Sequence, residues 1–223
     1  MKRITVLLAE DHQIVREGFR SLLEHEHDIE VVGEAETGRQ AVQLTRKLRP
    51  AVVVMDIAMP GLNGLEATRQ IREHLPESKI LILSAHSDDA YVEKAARLGA
   101  AGFLLKQTSS HILANAIREV QKGNKFFSPV LNKRLRSPRS LPGGGQVQKR
   151  GNRLSSREVE VLQLIAEGKP NKQVAAELGV TFKTVDKHRQ NLMSKLDIHD
   201  IAGLTRYAIA EGIIESSVRI TSP

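Results

Sequence analysis

Short apolar runs alternate with helix-like stretches throughout the first half of the chain, and this alternation limits the fold more than any other feature. The apolar runs lie at residues 4–9, 29–35, 51–55, 79–84 and 101–105. The stretches between and after them have the apolar spacing of amphipathic helices, at 13–25, 37–48, 64–75, 87–98 and 109–122. Strands that alternate with helices predict a parallel sheet with helices on both faces. We therefore expect an α/β doubly wound, five-stranded domain over residues 1–127.

The positive charge of the chain is concentrated in one segment. The net charge is +7, yet residues 1–128 contain 17 basic and 17 acidic residues, and residues 151–223 contain ten and nine. Residues 129–150 contain six basic residues, no acidic residue and three consecutive glycines. This composition predicts a flexible basic linker over 128–151. The linker is either a solvated tether or a segment that lies near an anionic partner.

The last third of the chain has the pattern of a small all-α domain over residues 152–214, followed by a tail over 215–223. Ser155 and Glu158 predict a capping box at the start of its first helix, and Gly168 predicts the end of that helix. Pro170 is suited to the first turn of the second helix. Further helices are predicted over 171–178, 182–195 and 200–212.

The composition argues against several classes of site. The chain has no cysteine, which excludes disulfides, thiolate metal sites and cysteine nucleophiles. Aromatic residues make up 3% of the chain, too few to favour a base-stacking platform for single-stranded nucleic acid. No apolar run approaches the ~20 residues that span a bilayer, and the N-terminus lacks a signal-peptide pattern. We expect a cytoplasmic protein with no membrane partner.

Polar side chains follow four of the predicted strands. Glu10 and Asp11 follow the first strand, Asp56 follows the third, Ser84 ends the fourth and Lys106 follows the fifth. The carboxyl ends of parallel strands meet at one edge, and the first and third strands are usually neighbours in such a sheet. Three carboxylates at that edge repel one another unless a cation holds them, and hard oxygen ligands suit Mg²⁺.

The hydroxyl and the ammonium at the same edge are suited to phosphoryl oxygens. The set therefore predicts transfer of a phosphoryl group onto a carboxylate, with Mg²⁺ neutralising the charge. Each residue also has an ordinary interpretation: an acidic helix cap, a turn serine or a solvated surface lysine. Their joint occurrence at four strand ends favours the chemical interpretation.

Residues 1–125 resemble the receiver domain of two-component response regulators. The matched segments are LLAEDH, VVVMDIAMPGLNGLEA, ILILSAHSD and AGFLLK. The resemblance implies a flavodoxin-like fold and phosphorylation of Asp56 by a sensor histidine kinase. It implies Mg²⁺ ligands from Glu10, Asp11, Asp56 and the backbone carbonyl of Ala58. It also implies roles for Ser84 as the switch hydroxyl, Phe103 as the switch aromatic and Lys106 as the phosphate-pairing lysine.

Two positions depart from the receiver pattern. Gln107 follows the lysine where many receivers have proline. Ala58 stands where relatives often carry an amide or another polar side chain. Because a methyl group cannot position a water for dephosphorylation, we expect a fairly long-lived phosphoryl group.

Residues 152–214 resemble the LuxR-type helix-turn-helix of the NarL/FixJ class, through LSSREVEVLQLIAEGKPNKQVAAELGVTFKTVDKHRQNLMSKL. The resemblance makes the third helix of this domain the recognition helix, which would enter the major groove. Val185, Leu192 and Leu196 form its inward stripe. The candidate DNA-binding residues are Lys172, Lys183, Thr184, Asp186, Lys187, His188, Gln190 and Asn191. The alternative is a helical bundle with mixed surface charge.

The candidate residues differ in what they would contact. Gln190 and Asn191 have amides that suit adenine, and lysine suits guanine or phosphate. Asp186 either accepts from a cytosine amine or caps a neighbouring lysine. His188 fits a phosphate contact or packing better than metal ligation, because no second ligand stands at helical spacing.

The fourth helix of this domain carries Ile201, Leu204 and Ile209. In the family this helix supports dimers on DNA, and the alternative is burial against the first helix. The whole chain is interpreted as a transcription regulator that binds promoter DNA. Its expected partners include RNA polymerase and, when the protein is phosphorylated or DNA-bound, a second copy of the chain.

Two other functions fit parts of this pattern. An aspartate-nucleophile phosphatase usually has a second acid two residues after the nucleophile, where this chain has Ala58. A regulator of the same architecture could instead respond to a ligand or a partner protein independently of phosphorylation. The complete acidic set argues against that alternative.

Overall fold

A computed structural model of the chain describes residues 3–85, 89–127 and 154–214. The chain divides into two compact units, Met1–Gly145 and Gln146–Pro223. The predicted linker over 128–151 and the predicted tail over 215–223 lie outside the described residues, so their boundaries stay predictions. Among the helices described, none is long and apolar enough to cross a membrane.

The first unit contains a five-stranded parallel sheet of order β2-β1-β3-β4-β5, which confirms the predicted doubly wound architecture. The strands are β1 (Ile4–Ala9), β2 (Ile29–Ala35), β3 (Val52–Asp56), β4 (Lys79–Ser84) and β5 (Gly102–Leu105). The helices are α1 (Gln13–Glu24), α2 (Gly38–Leu48), α3 (Gly64–His74), α4 (Asp89–Arg97) and α5 (Ser110–Gln121). Each element lies within two residues of the predicted bounds.

Two apolar layers enclose the sheet because successive strand residues point to opposite faces. Leu7 and Met55 belong to the layer that includes residues of α2, α3 and α4, whereas Leu8 and Val54 belong to the layer that includes residues of α1 and α5. All four side chains are buried. Burial of one such side chain contributes roughly 1.5–3 kcal/mol, so the layers fix the strands and hence the residues at their ends.

A close backbone approach fixes the end of β3. The N–H of Gly64 donates to the carbonyl oxygen of Ile57 at 2.9 Å. A Cβ atom at Gly64 would lie 1.8 Å from the backbone oxygen of Asp56, so the position excludes every side chain. Asn63 then caps α3, since its side chain accepts from the N–H of Glu66. The start of α3 and the last residue of β3 are thereby held together.

The second unit is all-helical, as predicted, with α6 (Ser156–Ala166), α7 (Asn171–Leu178), α8 (Phe182–Leu196) and α9 (Ile201–Ala210). Ser155 and Glu158 form the predicted capping box. Pro170 is the N-cap residue of α7, one position before the first turn in which it was expected. Its fixed φ and missing N–H suit an N-cap with extended backbone as well. Leu162, Val185 and Leu204 are fully buried where the helices meet.

Candidate functional site

The sheet order brings the first and third strands together at their carboxyl ends. Ala9 pairs with Met55, which places Glu10 beside Asp56. Ser84 pairs with Leu105 on the next pair of strands, and the N–H of Lys106 donates to the Ser84 carbonyl oxygen at 2.8 Å. The predicted strand-end residues therefore share one edge of the sheet.

The Lys106 ammonium lies between two of the carboxylates. Its Nζ is 2.8 Å from Glu10 Oε2 and 2.9 Å from Asp56 Oδ2. Both acids are 2% exposed, so the contacts are made largely out of water. Electrostatic attraction is strong in such surroundings, and the lysine offsets part of the repulsion between the acids.

Burial and the nearby carboxylates of Glu10 and Asp11 together raise the pKa of Asp56 to about 6, against the opposing effect of Lys106. Burial by itself lowers the pKa of Lys106, but Asp56 and Glu10 outweigh it, and the net pKa of Lys106 is raised. At neutral pH Asp56 is therefore mostly ionised and Lys106 is charged. An ionised carboxylate is the form that acts as a nucleophile.

Several carboxylate oxygens at this edge lack a well-directed donor. Glu10 Oε2, Asp11 Oδ1 and Asp56 Oδ2 receive no hydrogen bond of good geometry, although a side-chain nitrogen lies within 2.8 to 3.0 Å of each. A cation that is close but makes no directed hydrogen bond leaves lone pairs of a buried oxygen available. Hard anionic oxygens with free lone pairs fit Mg²⁺.

Among the described residues, one group of three side chains has potential ligand atoms within 4.8 Å of one another: Glu10, Asp11 and His12. The sequence pattern does not indicate His12 as a ligand. Its Nδ1 lies 3.2 Å from Glu10 Oε1 and 3.0 Å from Asp11 Oδ1. Asp56 is outside this group and joins the cluster through Lys106, so the predicted ligand set of Glu10, Asp11, Asp56 and the Ala58 carbonyl stays a prediction.

The remaining receiver-site residues lie close to this edge in the fold. Ser84 is the last residue of β4 and is buried. Phe103 is buried on β5 in the layer that contains Met55. Ala58 is half-buried, two residues after Asp56.

Sequence reasoning missed a buried arginine behind the acidic pair. Arg16, on α1, is 6% exposed. Its guanidinium donates to the Glu10 carbonyl oxygen at 2.7 Å, to Glu34 at 3.1 Å and to Glu36 at 2.8 Å. Arg16 therefore fixes the backbone at the end of β1. A strand-and-helix pattern carries no signal for such a contact, because arginine on an amphipathic helix is normally solvated.

Helix α8 has the two faces expected of it. Val185 and Leu192 are fully buried, and Leu196 is partly buried against the same core. Lys183, Lys187, Gln190 and Asn191 are exposed, as is Lys172 on α7, whereas Thr184, Asp186 and His188 are partly buried. The candidate DNA-binding residues of α8 therefore form a polar surface that is exposed or partly exposed.

Polar contacts that the sequence did not reveal hold α8 against its neighbours. Lys195 donates to Glu158 at 2.7 Å, which ties the end of α8 to the capping box of α6. Arg189 donates to the Asn171 side chain at 3.3 Å, which ties α8 to the start of α7. The orientation of the exposed face of α8 is fixed by these contacts together with the core.

Helix α9, the fourth of this domain, has apolar residues both in the core and at the surface. Leu204 is fully buried, which agrees with packing inside the domain. Ile201 and Ile209 are 52% and 37% exposed, so burial against α6 does not account for them.

Two family models match the two units. Residues 6–118 match the response regulator receiver domain, and residues 152–208 match the bacterial regulatory proteins of the luxR family. This chain belongs to the response regulators that carry a LuxR-type DNA-binding domain. Such a response regulator is a transcription regulator of a two-component system, and the family is a DNA-binding one.

Curated relatives cover nearly the whole response regulator. The chain is 42% identical to the transcriptional regulatory protein LiaR of Bacillus subtilis over 206 residues, which are 92% of this chain and 96% of LiaR. It is 35% identical to the response regulator protein VraR of Staphylococcus aureus over 215 residues, which are 95% and 99% of the two chains.

Solved structures give the same assignment. The RcsB response regulator of Salmonella typhimurium matches with a TM-score of 0.55 and 30% identity, over 94% of this chain and all of that chain. A structure of the RcsB–DNA complex matches with a TM-score of 0.56 and 29% identity, over 94% and 99% of the chains.

Proposed function

We propose that Asp56 accepts a phosphoryl group from a sensor histidine kinase. A carboxylate oxygen of Asp56 forms a bond to phosphorus while the bond from phosphorus to the kinase imidazole breaks. The observation that carries this proposal is the convergence of Asp56, Glu10 and Lys106 at one strand edge, with Asp56 mostly ionised at neutral pH. The product is an acyl phosphate on a buried side chain.

Glu10, Asp11, Asp56 and the Ala58 carbonyl would hold Mg²⁺ here. The ion supplies charge neutralisation for the transferring phosphoryl oxygens. The residues themselves supply position and charge. The backbone contacts of Gly64 and Arg16 hold the strand ends, and the Lys106 ammonium is within reach of a phosphoryl oxygen on Asp56.

Ser84 and Phe103 are the proposed switch residues. The Ser84 hydroxyl would hydrogen-bond a phosphoryl oxygen, and Phe103 would follow it by changing its packing. Support comes from the backbone hydrogen bond between Lys106 and Ser84, which couples the ends of β4 and β5. A change at this edge would then alter the surface near α4 and β5.

The second unit is proposed to bind double-stranded promoter DNA through α8. Its candidate contacts are Lys172, Lys183, Thr184, Asp186, Lys187, His188, Gln190 and Asn191. The exposed Ile201 and Ile209 favour a dimer in the phosphorylated or DNA-bound form. We place the regulator in the cytoplasm, with RNA polymerase as a further partner, and not among enzymes that turn over a separate substrate.

The test is the intact mass of the full chain after incubation with Mg²⁺ and a small acyl phosphate. The wild type should gain the mass of one phosphoryl group, and Asp56→Asn should gain none. Asp11→Asn is the matched control, because it changes a proposed metal ligand but leaves the acceptor in place. Phosphorylation of Asp11→Asn should be partly restored at higher Mg²⁺ concentration.

A folded wild-type protein that gains no mass would contradict the proposal. The second candidate, a regulator controlled by a ligand or a partner protein, would then account better for the chain. Equal phosphorylation of Asp11→Asn and wild type across Mg²⁺ concentrations would remove Asp11 from the ligand set.

A further inference from the structure

Helix α8 carries a single acidic residue among four Lys and Arg residues. Asp186 stands between Lys183 and Lys187 on the part of the helix that is proposed to enter the major groove. A carboxylate there opposes the attraction between the basic residues and the DNA phosphates. Asp186 therefore weakens non-specific binding to DNA. A second role of Asp186 on α8 would offset this loss of affinity.

The structure gives Asp186 a partner that the sequence did not suggest. Nε2 of Gln190 donates a hydrogen bond to Oδ2 of Asp186 at 3.1 Å. The two residues are four positions apart, so they are neighbours on the same helical face. Asp186 is partly buried and Gln190 is exposed, which makes the glutamine the outer member of the pair.

This hydrogen bond fixes which way the glutamine amide faces. An ionised carboxylate only accepts hydrogen bonds, so the NH₂ end of Gln190 must face Asp186 and the amide oxygen must face elsewhere. The bond also occupies one of the two N–H groups. One N–H donor and one carbonyl acceptor of Gln190 then remain for DNA.

One donor beside one acceptor is the complement of adenine. In the major groove adenine offers N7 as an acceptor and the N6 amine as a donor, whereas guanine offers two acceptors. An unrestrained glutamine could turn both N–H groups toward guanine. A glutamine held by Asp186 cannot, because one N–H is engaged and its oxygen would face guanine O6.

We propose that Asp186 is a positioning residue that holds the Gln190 amide for bidentate recognition of adenine at one position of the DNA site. The inference rests on the proposed entry of α8 into the major groove. It adds a specificity-determining role for Asp186 that requires no direct contact between Asp186 and a base. Holding the side chain in advance also reduces the conformational entropy lost on binding.

The experiment selects binding sites from a library of randomised duplex DNA with the full chain. Wild type is compared with Asp186→Ala, Asp186→Asn and Gln190→Ala, followed by competition between duplexes that differ only at the position Gln190→Ala affects. Wild type should prefer adenine there by roughly tenfold. Asp186→Ala should lose most of that preference at the same position.

Asp186→Asn is the conservative variant, because its side-chain carbonyl still accepts from Gln190. It should keep the adenine preference while binding all sequences more tightly, since it removes a negative charge. Lys172→Ala is the control for general weakening, and it should lower affinity for all sequences equally. Circular dichroism and thermal unfolding check that each variant is folded.

The inference is overturned if Asp186→Ala keeps the adenine preference, or if it relaxes a different position from Gln190→Ala. It is also overturned if Gln190→Ala changes no base preference. Failure of the wild type to enrich any sequence would instead contradict the proposed DNA recognition by α8, and this inference with it. The two failures are therefore distinguishable.

Discussion

Arg16 offers the sharpest test of how the acidic pair is held, through the substitution Arg16→Met. Methionine keeps much of the side-chain volume but removes every donor. The Glu10 carbonyl oxygen would lose its 2.7 Å hydrogen bond, and Glu34 and Glu36 would lose a cation. A buried polar group left without its partner costs about 1–3 kcal/mol.

The expected loss for Arg16→Met comes mainly from two groups. The Glu10 carbonyl accounts for most of it, and Glu34, whose side chain is 26% exposed, adds a smaller part. Glu36 adds little, because its side chain is 64% exposed and surface pairs are weak. Together these give about 2–3 kcal/mol, which corresponds to a lowering of the urea midpoint of the first unit by roughly 1–1.5 M.

The assay is urea unfolding of the full chain followed by hydrogen exchange of peptides from the first unit. Arg20→Met is the matched control: Arg20 lies on the same helix and pairs with the same Glu34, but its side chain is about half exposed. Arg20→Met should change the midpoint little. Equal effects of the two substitutions would refute the reasoning, because the buried carbonyl contact would then contribute nothing measurable.

Three further outcomes are expected. Gly64→Ala forces a Cβ against the backbone oxygen of Asp56. It should destabilise the first unit by about 1–3 kcal/mol, measured by urea unfolding, and slow phosphorylation, measured by intact mass. Ala58→Asn adds an amide able to position a water, so it should shorten the lifetime of the phosphoryl group about tenfold, followed by intact mass over time. Burial opposes ionisation of Glu158, but Lys195 and Ser155 outweigh this effect and lower its pKa. Glu158→Gln should therefore destabilise the second unit at pH 7. The destabilisation should become smaller as the pH falls below 4.5, the ordinary pKa of a glutamate.

Each of these outcomes has a contrary result. Unchanged phosphorylation of Gly64→Ala would mean that the end of β3 is free to shift. A lifetime of the phosphoryl group that is already short in the wild type would contradict the argument from Ala58. A destabilisation by Glu158→Gln that is as large at pH 3 as at pH 7, measured by hydrogen exchange, would mean that its charge does not stabilise the fold.

The sequence predicted the parts of this molecule that depend on periodicity and strand order. The alternation of apolar runs with helices led to the five-stranded parallel sheet, and strand-end position led to Asp56 and Lys106 as neighbours. The capping box at Ser155 was predictable because both of its partners lie three residues apart in the chain. Local patterns of this kind can be predicted because they depend on residues that are close together in the sequence.

Contacts between distant residues were not predictable in the same way. Arg16 meets Glu34 across 18 positions, and Lys195 meets Glu158 across 37 positions. Neither pair forms a motif, since the partners come together only through the fold. The Asp186 contact was missed for a different reason: the sequence analysis assigned Asp186 to a cytosine amine or to a neighbouring lysine, whereas Gln190, four positions on, is its partner.

The Lys106 ammonium that lies between Glu10 and Asp56 is a counter-ion tied to the chain itself. Glu10 and Asp56 therefore have a counter-ion in the folded protein without a dissolved cation. The folded protein thus has a cation of its own at this edge, apart from the Mg²⁺ proposed for the phosphorylation chemistry. In the proposed function, the fold would not require Mg²⁺, whereas the rate of phosphorylation of Asp56 would follow the Mg²⁺ level. The ion would then act as a reactant taken up from solution and not as a structural component of the fold.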